Sequence, residues 1–182
     1  MSEYITTYTG IHFKPTEPEP ELIRVEDIAH ALSMICRGNG HVHTFWSVAE
    51  HCICCAKEAA ARGLPDRMVL ACLLHDASEC YMSDVPTPFK KQLPEYEERE
   101  ERLLRMIYEK LTEEEQEQLD EIDHALVLYD LEVLLKEKQK EKKPELRIEL
   151  DYTVCSFDVA EAEYLQIFRK YYENLQRDKG IS

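Results

Sequence analysis

Apolar residues recur at spacings of three and four along most of the chain, and no segment alternates with period two for long enough to propose a sheet. Ile28, Leu32 and Ile35 set the first helical repeat, read as a helix over Val25 to Cys36. It has Asp27 near its start, and Gly38-Asn39-Gly40 breaks it. Thr44 reads as the N-cap of the next helix, which reaches Arg62 and stops at Gly63. Pro65-Asp66 opens another, and its stretch Met68 to Leu74 is apolar all round, the mark of a helix buried mid-domain. Asp84 to Pro94 holds three prolines and is predicted to be a loop. A charged helix follows from about Tyr96 to Leu111. Thr112 and Glu115 then have capping-box spacing and start a long helix toward Lys138. After Pro144 the chain reads as irregular until Ser156, the N-cap of a last helix (156–178) reaching about Arg177. Ahead of all this, Pro15, Pro18 and Pro20 make residues 1–24 an irregular N-terminal segment. The prediction is an all-α, compact helical bundle, one domain over residues 1–182.

Composition narrows the class. At 182 residues with 44% hydrophobic content, the chain can bury roughly 70% of its unfolded surface and needs no disulfide to fold. No run of about 18 apolar residues occurs, so a membrane span is excluded. Met1 to Thr9 lacks the basic start and apolar centre of a secretory signal. Seven cysteines, an odd number lying mostly in apolar helical runs, then read as reduced thiols, and the expected location is the cytoplasm. The net charge of −15, from 37 acidic against 22 basic residues, disfavours a partner such as a long nucleic acid. It is compatible with a small anionic substrate, because an arginine in a cleft can outweigh a distant, screened field. The basic cluster Lys136 to Lys143 alternates with Glu137 and Glu141 and reads as a solvated helix end.

Three helices carry residues out of place for their faces. The buried helix ends in His75-Asp76-Ala77-Ser78-Glu79, and at 3.6 residues per turn Glu79 returns to the side of His75 and Asp76. Burying a carboxylate without a partner costs several kcal/mol, so a positive group is expected nearby. In the long helix Leu119, Ile122, Leu126, Tyr129 and Val133 form the apolar stripe, and Asp123 shares it; Asp130 has a similar claim if the helix is rotated slightly. In the earlier helix His51, three after Val48 and four before Cys55, also faces inward. A single inward histidine is commonly a satisfied core residue. A divalent cation between the helices explains all three at once, with imidazole and carboxylate ligands and open positions for water.

The order His, then His-Asp, then Asp on successive helices resembles the HD-domain metal-dependent phosphohydrolase superfamily. Beside the first ligand stand Cys36-Arg37 and Ser47-Val48-Ala49-Glu50-His51; beside the second, His-Asp-Ala-Ser-Glu is followed by Ser83-Asp84-Val85-Pro86-Thr87-Pro88. That pair of motifs is similar to the bacterial 5′-deoxynucleotidase branch, and the likeness runs from about Ile28 to Val133. It implies a helical fold, one divalent metal ion and, frequently, a homodimer. It further implies His51, His75, Asp76 and Asp123 as metal ligands, with Glu79 and Asp84 orienting or deprotonating the attacking water. Arg37 would clamp the substrate phosphate. Gly38 departs from the pattern, because that branch can carry a tryptophan there near the substrate. The implied reaction is release of phosphate from (deoxy)nucleoside 5′-monophosphates by a metal-bound hydroxide, formed because the cation lowers the pKa of its water toward about 7. A neighbouring cation should keep Glu79 ionised. Mixed nitrogen and oxygen ligands suit Mn, Co, Fe or Zn, and Mg less well.

Other readings stand beside this one. Relatives that hydrolyse guanosine alarmones carry His-Asp-x-x-Glu-Asp, where this chain has Cys80 in the last place. A metal-bound helical module without catalysis is the non-enzymatic alternative, and the presence of Glu79 and Arg37 counts against it. His41 and His43 could reach the mouth of the site, whereas His124 points about 100° from Asp123. Cys52, Cys54 and Cys55 do not converge on a helix and have no second C-x-x-C, so they read as core packing.

Overall fold

The computed structural model describes residues 3–138, 140–178 and 180. The first two residues of the predicted N-terminal segment and Gln139 of the basic cluster lie outside the described residues.

The fold is all-α, apart from one short hairpin that period-two alternation could not reveal. Two two-residue strands, β1 (Ile5–Thr6) and β2 (His12–Phe13), pair antiparallel. The second delivers Phe13, fully buried, onto the ring of Tyr81 at 4.0 Å between centroids. Helix α1 (Val25–Met34) ends two residues earlier than its repeat suggests, because Ile35 leaves in extended conformation and Cys36 bridges to Ser47.

Helix α2 (Val48–Ala61) is capped by Ser47 and not by Thr44. Ser47 Oγ accepts the Glu50 amide at 3.2 Å, and the Glu50 carboxylate accepts the Ser47 amide at 2.8 Å, which satisfies two otherwise orphaned donors. Gly63, at φ +77°, ends the helix as expected of a left-handed C-terminal residue. Helix α3 (Asp66–Leu74) is buried from Met68 to Leu74. The chain then turns through residues 75–78 into the one-turn α4 (Glu79–Met82).

The predicted proline loop contains a further single turn, α5 (Thr87–Lys90), since proline is tolerated in a first helical turn. Helix α6 (Pro94–Ile107) begins earlier and ends earlier than the predicted charged helix. Helix α7 (Glu113–Leu134) has the Thr112 capping box but stops short of Lys138, where Lys136 enters the left-handed region at φ +57°. After an irregular stretch, α8 (Phe157–Asp178) lies across α1, α2 and α3. Its fully buried Tyr164 donates its hydroxyl to the Leu73 carbonyl at 2.8 Å. Helix α7 packs on α2 and α3 from the other side, so the ends of α3 and the middle of α7 meet beside α2. No helix among the described residues is long and apolar enough to cross a membrane.

Candidate active site

Each functional side chain is placed by a specific local feature. The Ser47 cap fixes the first turn of α2, and His51 follows on its inner face with no exposed surface. Helix α3 is held in the core by its apolar surface, which brings His75 and Asp76 to the edge of the core where it ends. Asp123 and Asp130 lie two turns apart on α7, near α2 and α3. Arg37 opens a tight turn, Arg37–Gly40, that Gly38 makes feasible at φ +58°.

These groups converge. His51 Nε2 lies 2.9 Å from Asp123 Oδ1, and His51 Nδ1 lies 2.9 Å from Asp130 Oδ2. His75 Nδ1 meets the Cys72 carbonyl at 2.9 Å, so that nitrogen donates and Nε2 faces the cluster. His75 Nε2 is 3.3 Å from Asp76 Oδ2 and 3.5 Å from Asp123 Oδ1, yet it is buried without a hydrogen-bond partner among the described residues. Ligand atoms of His51, His75, Asp123 and Cys55 lie within 4.8 Å of one another, and a second such group joins Cys52, His75 and Asp76. Both are dimensions that can hold a metal ion. The orphaned imidazole nitrogen, aimed at carboxylate oxygens, fits a divalent cation, since burying such a group unpaired is costly. Asp76 enters through His75 and turns one oxygen toward Arg37 Nη1 at 3.5 Å.

The two aspartates that α7 offered are thereby separated. Asp123 faces both imidazoles and keeps a side chain 37% exposed to the cleft, whereas Asp130 is buried behind His51. Arg37 is no surface residue. Its side chain is 17% exposed, with Nε 3.7 Å from Asp130 Oδ2.

Electrostatics follow from these contacts. Burial and the Arg37 guanidinium oppose a proton on His51, but Cys55 and the hydrogen bonds to Asp123 and Asp130 outweigh them and hold its pKa well above the usual histidine range. Burial likewise opposes a proton on His75, and Asp76, Cys52 and Asp123 outweigh it. Burial would raise the Asp123 carboxyl, yet its hydrogen bond to His51 and the close charge of the His75 imidazole keep it strongly acidic. Burial works against the charge of Arg37, while Asp76, Asp130, Asp123 and Glu79 stabilise it further. The protein's own groups raise Glu79, and a bound cation would act against them. Burial, then Asp76 and Asp84, push its carboxyl up to about 9 despite Arg37 and Lys90. Its Oε2 is also buried without a hydrogen-bond partner among the described residues.

These groups open on a cleft of about 430 Å³. Arg37, Asp76, Glu79, Asp84, Asp123 and Asp130 reach it from one side or another, and Val42, Val127, Leu131 and Leu134 give it an apolar wall. Asp84 is half-buried, its pKa raised by burial and only partly restored by Arg37. It is presented by Ser83, which holds φ +72°, ψ 154°, a conformation costing on the order of 1–3 kcal/mol, while the Ser83 carbonyl accepts the Tyr96 hydroxyl at 2.7 Å. His41 and His43 do not line the cleft. The His43 amide instead donates to the Leu134 carbonyl at 2.8 Å, which lays Val42 against the end of α7. His124 is exposed beside Glu141.

Sequence reasoning missed four participants. Lys90 supplies a second cation to the cleft wall, its ammonium 2.9 Å from both Glu100 oxygens; its position just after Pro86-Thr87-Pro88 was the available signal. Cys55 and Cys52 are buried as expected but adjoin the cluster, Cys55 Sγ lying 3.6 Å from His51 Nε2. Their spacing, four and one from His51, placed them there. Tyr152 donates to Asp130 Oδ1 at 2.9 Å, and nothing in its irregular surroundings announced it.

The HD domain family matches residues 40–167, well over half the chain, and the chain belongs to that family. Arg37 lies just ahead of the matched residues. The uncharacterized protein YfdR of Escherichia coli (strain K12) is 38% identical over 107 residues, covering 59% of this chain and 57% of that protein. The uncharacterized protein RCAP_rcc00048 of Rhodobacter capsulatus is 39% identical over 98 residues, covering 50% of each. The chain therefore spans about half the length of the curated relatives it matches.

Proposed function

We propose that the chain is a metal-dependent phosphohydrolase that releases phosphate from (deoxy)nucleoside 5′-monophosphates. The observation that carries this reading is the buried His75 Nε2, without a hydrogen-bond partner among the described residues, set beside His51, Asp76 and Asp123, two of which line a cleft that also presents Arg37. Membership in the HD domain family supports the metal-dependent chemistry. The motif pair His75-Asp76-Ala77-Ser78-Glu79 and Asp84-Val85-Pro86-Thr87-Pro88 supports the monophosphate substrate.

His51, His75, Asp76 and Asp123 would hold the ion, with Cys55 close enough to influence which ion is preferred. When bound, a divalent cation supplies Lewis acidity toward water and phosphoryl oxygens, and its charge favours the ionised form of Glu79. Arg37 is charged at every relevant pH and engages Asp76 and Asp130 through Nη1 and Nε. Its planar fork is thus pre-oriented at the cleft to take two phosphate oxygens, where charge must be held in the transition state. Lys90, paired with Glu100, adds a second cation to the cleft lining. Glu79 Oε2 and the Asp84 carboxylate are the chain's proton-handling groups, one to accept a proton from the nucleophilic water and one to orient it. The apolar wall of Val42, Val127 and Leu131 can receive the face of a nucleobase.

The deciding experiment is a panel of nucleoside and deoxynucleoside 5′-monophosphates assayed for phosphate release with Mn, Co, Fe, Zn and Mg. Release with one or more transition metals, lost on chelation, is the expected result. Metal binding with no release from any monophosphate would remove the substrate assignment, and absence of metal binding would remove the reading entirely.

A further inference from the structure

The cluster rests on a residue that lies outside every helix. Tyr152 belongs to the irregular stretch between Pro144 and Phe157, and its hydroxyl donates to Asp130 Oδ1 at 2.9 Å. The other oxygen of Asp130 faces His51 Nδ1 at 2.9 Å and Arg37 Nε at 3.7 Å. The same Tyr152 ring packs on Trp46 at 4.8 Å between centroids. The Trp46 carbonyl accepts the Arg37 amide at 2.8 Å, and Trp46 immediately precedes the Ser47 cap of the His51 helix. Tyr152 therefore touches both supports of Arg37, one through the side chain of Asp130 and one through the backbone at Trp46.

We propose that Tyr152 and Asp130 are a positioning pair that presents His51 Nε2 to the metal and holds the Arg37 fork at the cleft. This rests on the metal-dependent reading given above. With Nδ1–H donated to the Asp130 carboxylate, His51 directs its Nε2 lone pair at the cluster, the arrangement in which a carboxylate behind an imidazole fixes its tautomer and raises its basicity. Asp130 is not a ligand here, since its oxygens are taken up behind the imidazole. Tyr152 keeps it there: a buried carboxylate held by two hydrogen bonds has one place to sit, and with the tyrosine hydroxyl gone it can rotate toward the Arg37 guanidinium 3.7 Å away.

The pair makes a joint prediction for metal and phosphate that a purely structural role does not. Metal titration by calorimetry, independent of activity, reads the first half; competition by inorganic phosphate in the loaded enzyme reads the second. Asp130→Asn, which keeps shape and loses charge, should weaken metal binding by about 10- to 100-fold and weaken phosphate competition as well. Tyr152→Phe keeps the ring on Trp46 and should give the same two losses at a smaller size, roughly 3- to 10-fold. Tyr129→Phe is the control. It removes another tyrosine hydroxyl from α7, one donated to the Pro144 carbonyl at 2.9 Å, and should leave both constants unchanged. A lower melting temperature in Asp130→Asn and Tyr152→Phe with unchanged metal and phosphate constants would overturn the pair, leaving the phosphohydrolase reading intact. Failure of the unsubstituted protein to bind metal would overturn both.

Discussion

Helix α3 lines one concavity and its C-terminal end leads to another, and they could hardly differ more. On one side Leu70 and Leu74 join Ile107, Tyr108, Phe168 and Leu175 around a hollow of about 150 Å³ between α3, α6 and α8. Beyond its end, Asp76 lines the 430 Å³ cleft, with His75 Nε2 3.3 Å from its carboxylate. The hollow has the apolar lining that commonly marks a ligand pocket, and its edge charges are tied down, as where Arg67 pairs with Glu115 at 2.7 Å. The cleft is lined by acids and cations whose ionisation is displaced, and Glu79 within it has a buried oxygen without a hydrogen-bond partner among the described residues. The contrast teaches that the chemistry lies where charge has been brought together at a cost, and not where a cavity is greasiest.

Substitutions can break or sharpen that contrast. The largest effect is expected from His75→Ala, which removes the buried imidazole of the cluster: metal stoichiometry should fall toward zero and phosphate release to background, while Leu70→Ala across the helix should retain both. Next comes Glu79→Gln, which should keep its metal and lose roughly 10²- to 10⁴-fold in rate; full activity would pass proton transfer to Asp84 or to solvent. Arg37→Ala should bind metal normally yet lose about 10²- to 10³-fold in kcat/KM for monophosphates, with Arg37→Lys recovering only part, because a lysine cannot reproduce the two-pronged contact. Unchanged hydrolysis by Arg37→Ala would sink the phosphate-clamp assignment.

Smaller and graded effects follow from pH. His51 and His75 hold protons to unusually high pH, so a metal must displace them, and its affinity should climb with pH by up to about tenfold per unit for each proton released. Asp123, already ionised, adds nothing to that slope. Stability of chelator-treated protein should run the other way. The folded pKa of each histidine is raised, so the pairing with Asp123 and Asp130 is fully present below the ordinary histidine value near 6.5 and fades as pH rises through the raised values. Thermal melts against pH, with and without metal, check both signs. The smallest effect on function belongs to the hollow: Leu70→Ala should lower stability by about 2 kcal/mol and leave kcat/KM unchanged.

Much of this was legible beforehand, and the reasons differ by residue. His51 and Asp123 were conspicuous because they sit on apolar helical faces, and Asp76 because, after His75, it follows seven apolar residues at the end of a buried helix. The helices themselves followed from spacing, and the Thr112 cap from its match to Glu115. The cap at Ser47 was misjudged by one turn, since Thr44 and Ser47 are both chemically able and only the bridge from Cys36 to Ser47 selects between them. The surroundings of Glu79 were only partly legible, because a carboxylate's proton depends on everything within several ångströms, here Asp76 and Asp84 as well as burial.

The sequence by itself determined the class of fold, the helix faces and the residue types that chemistry needs, because period and composition are local properties that survive without knowledge of neighbours. Only the tertiary structure placed Asp123 against His51 Nε2 and His75 and Asp130 against His51 Nδ1, since a slight rotation of α7 exchanges their positions and that rotation is set by packing on α2 and α3. It also decided that Lys90 and Tyr152 belong to the site. Tyr152 lies 22 residues after Asp130 and more than 100 after Arg37, and it meets their shared carboxylate through hydrogen bonding across segments that no periodicity connects.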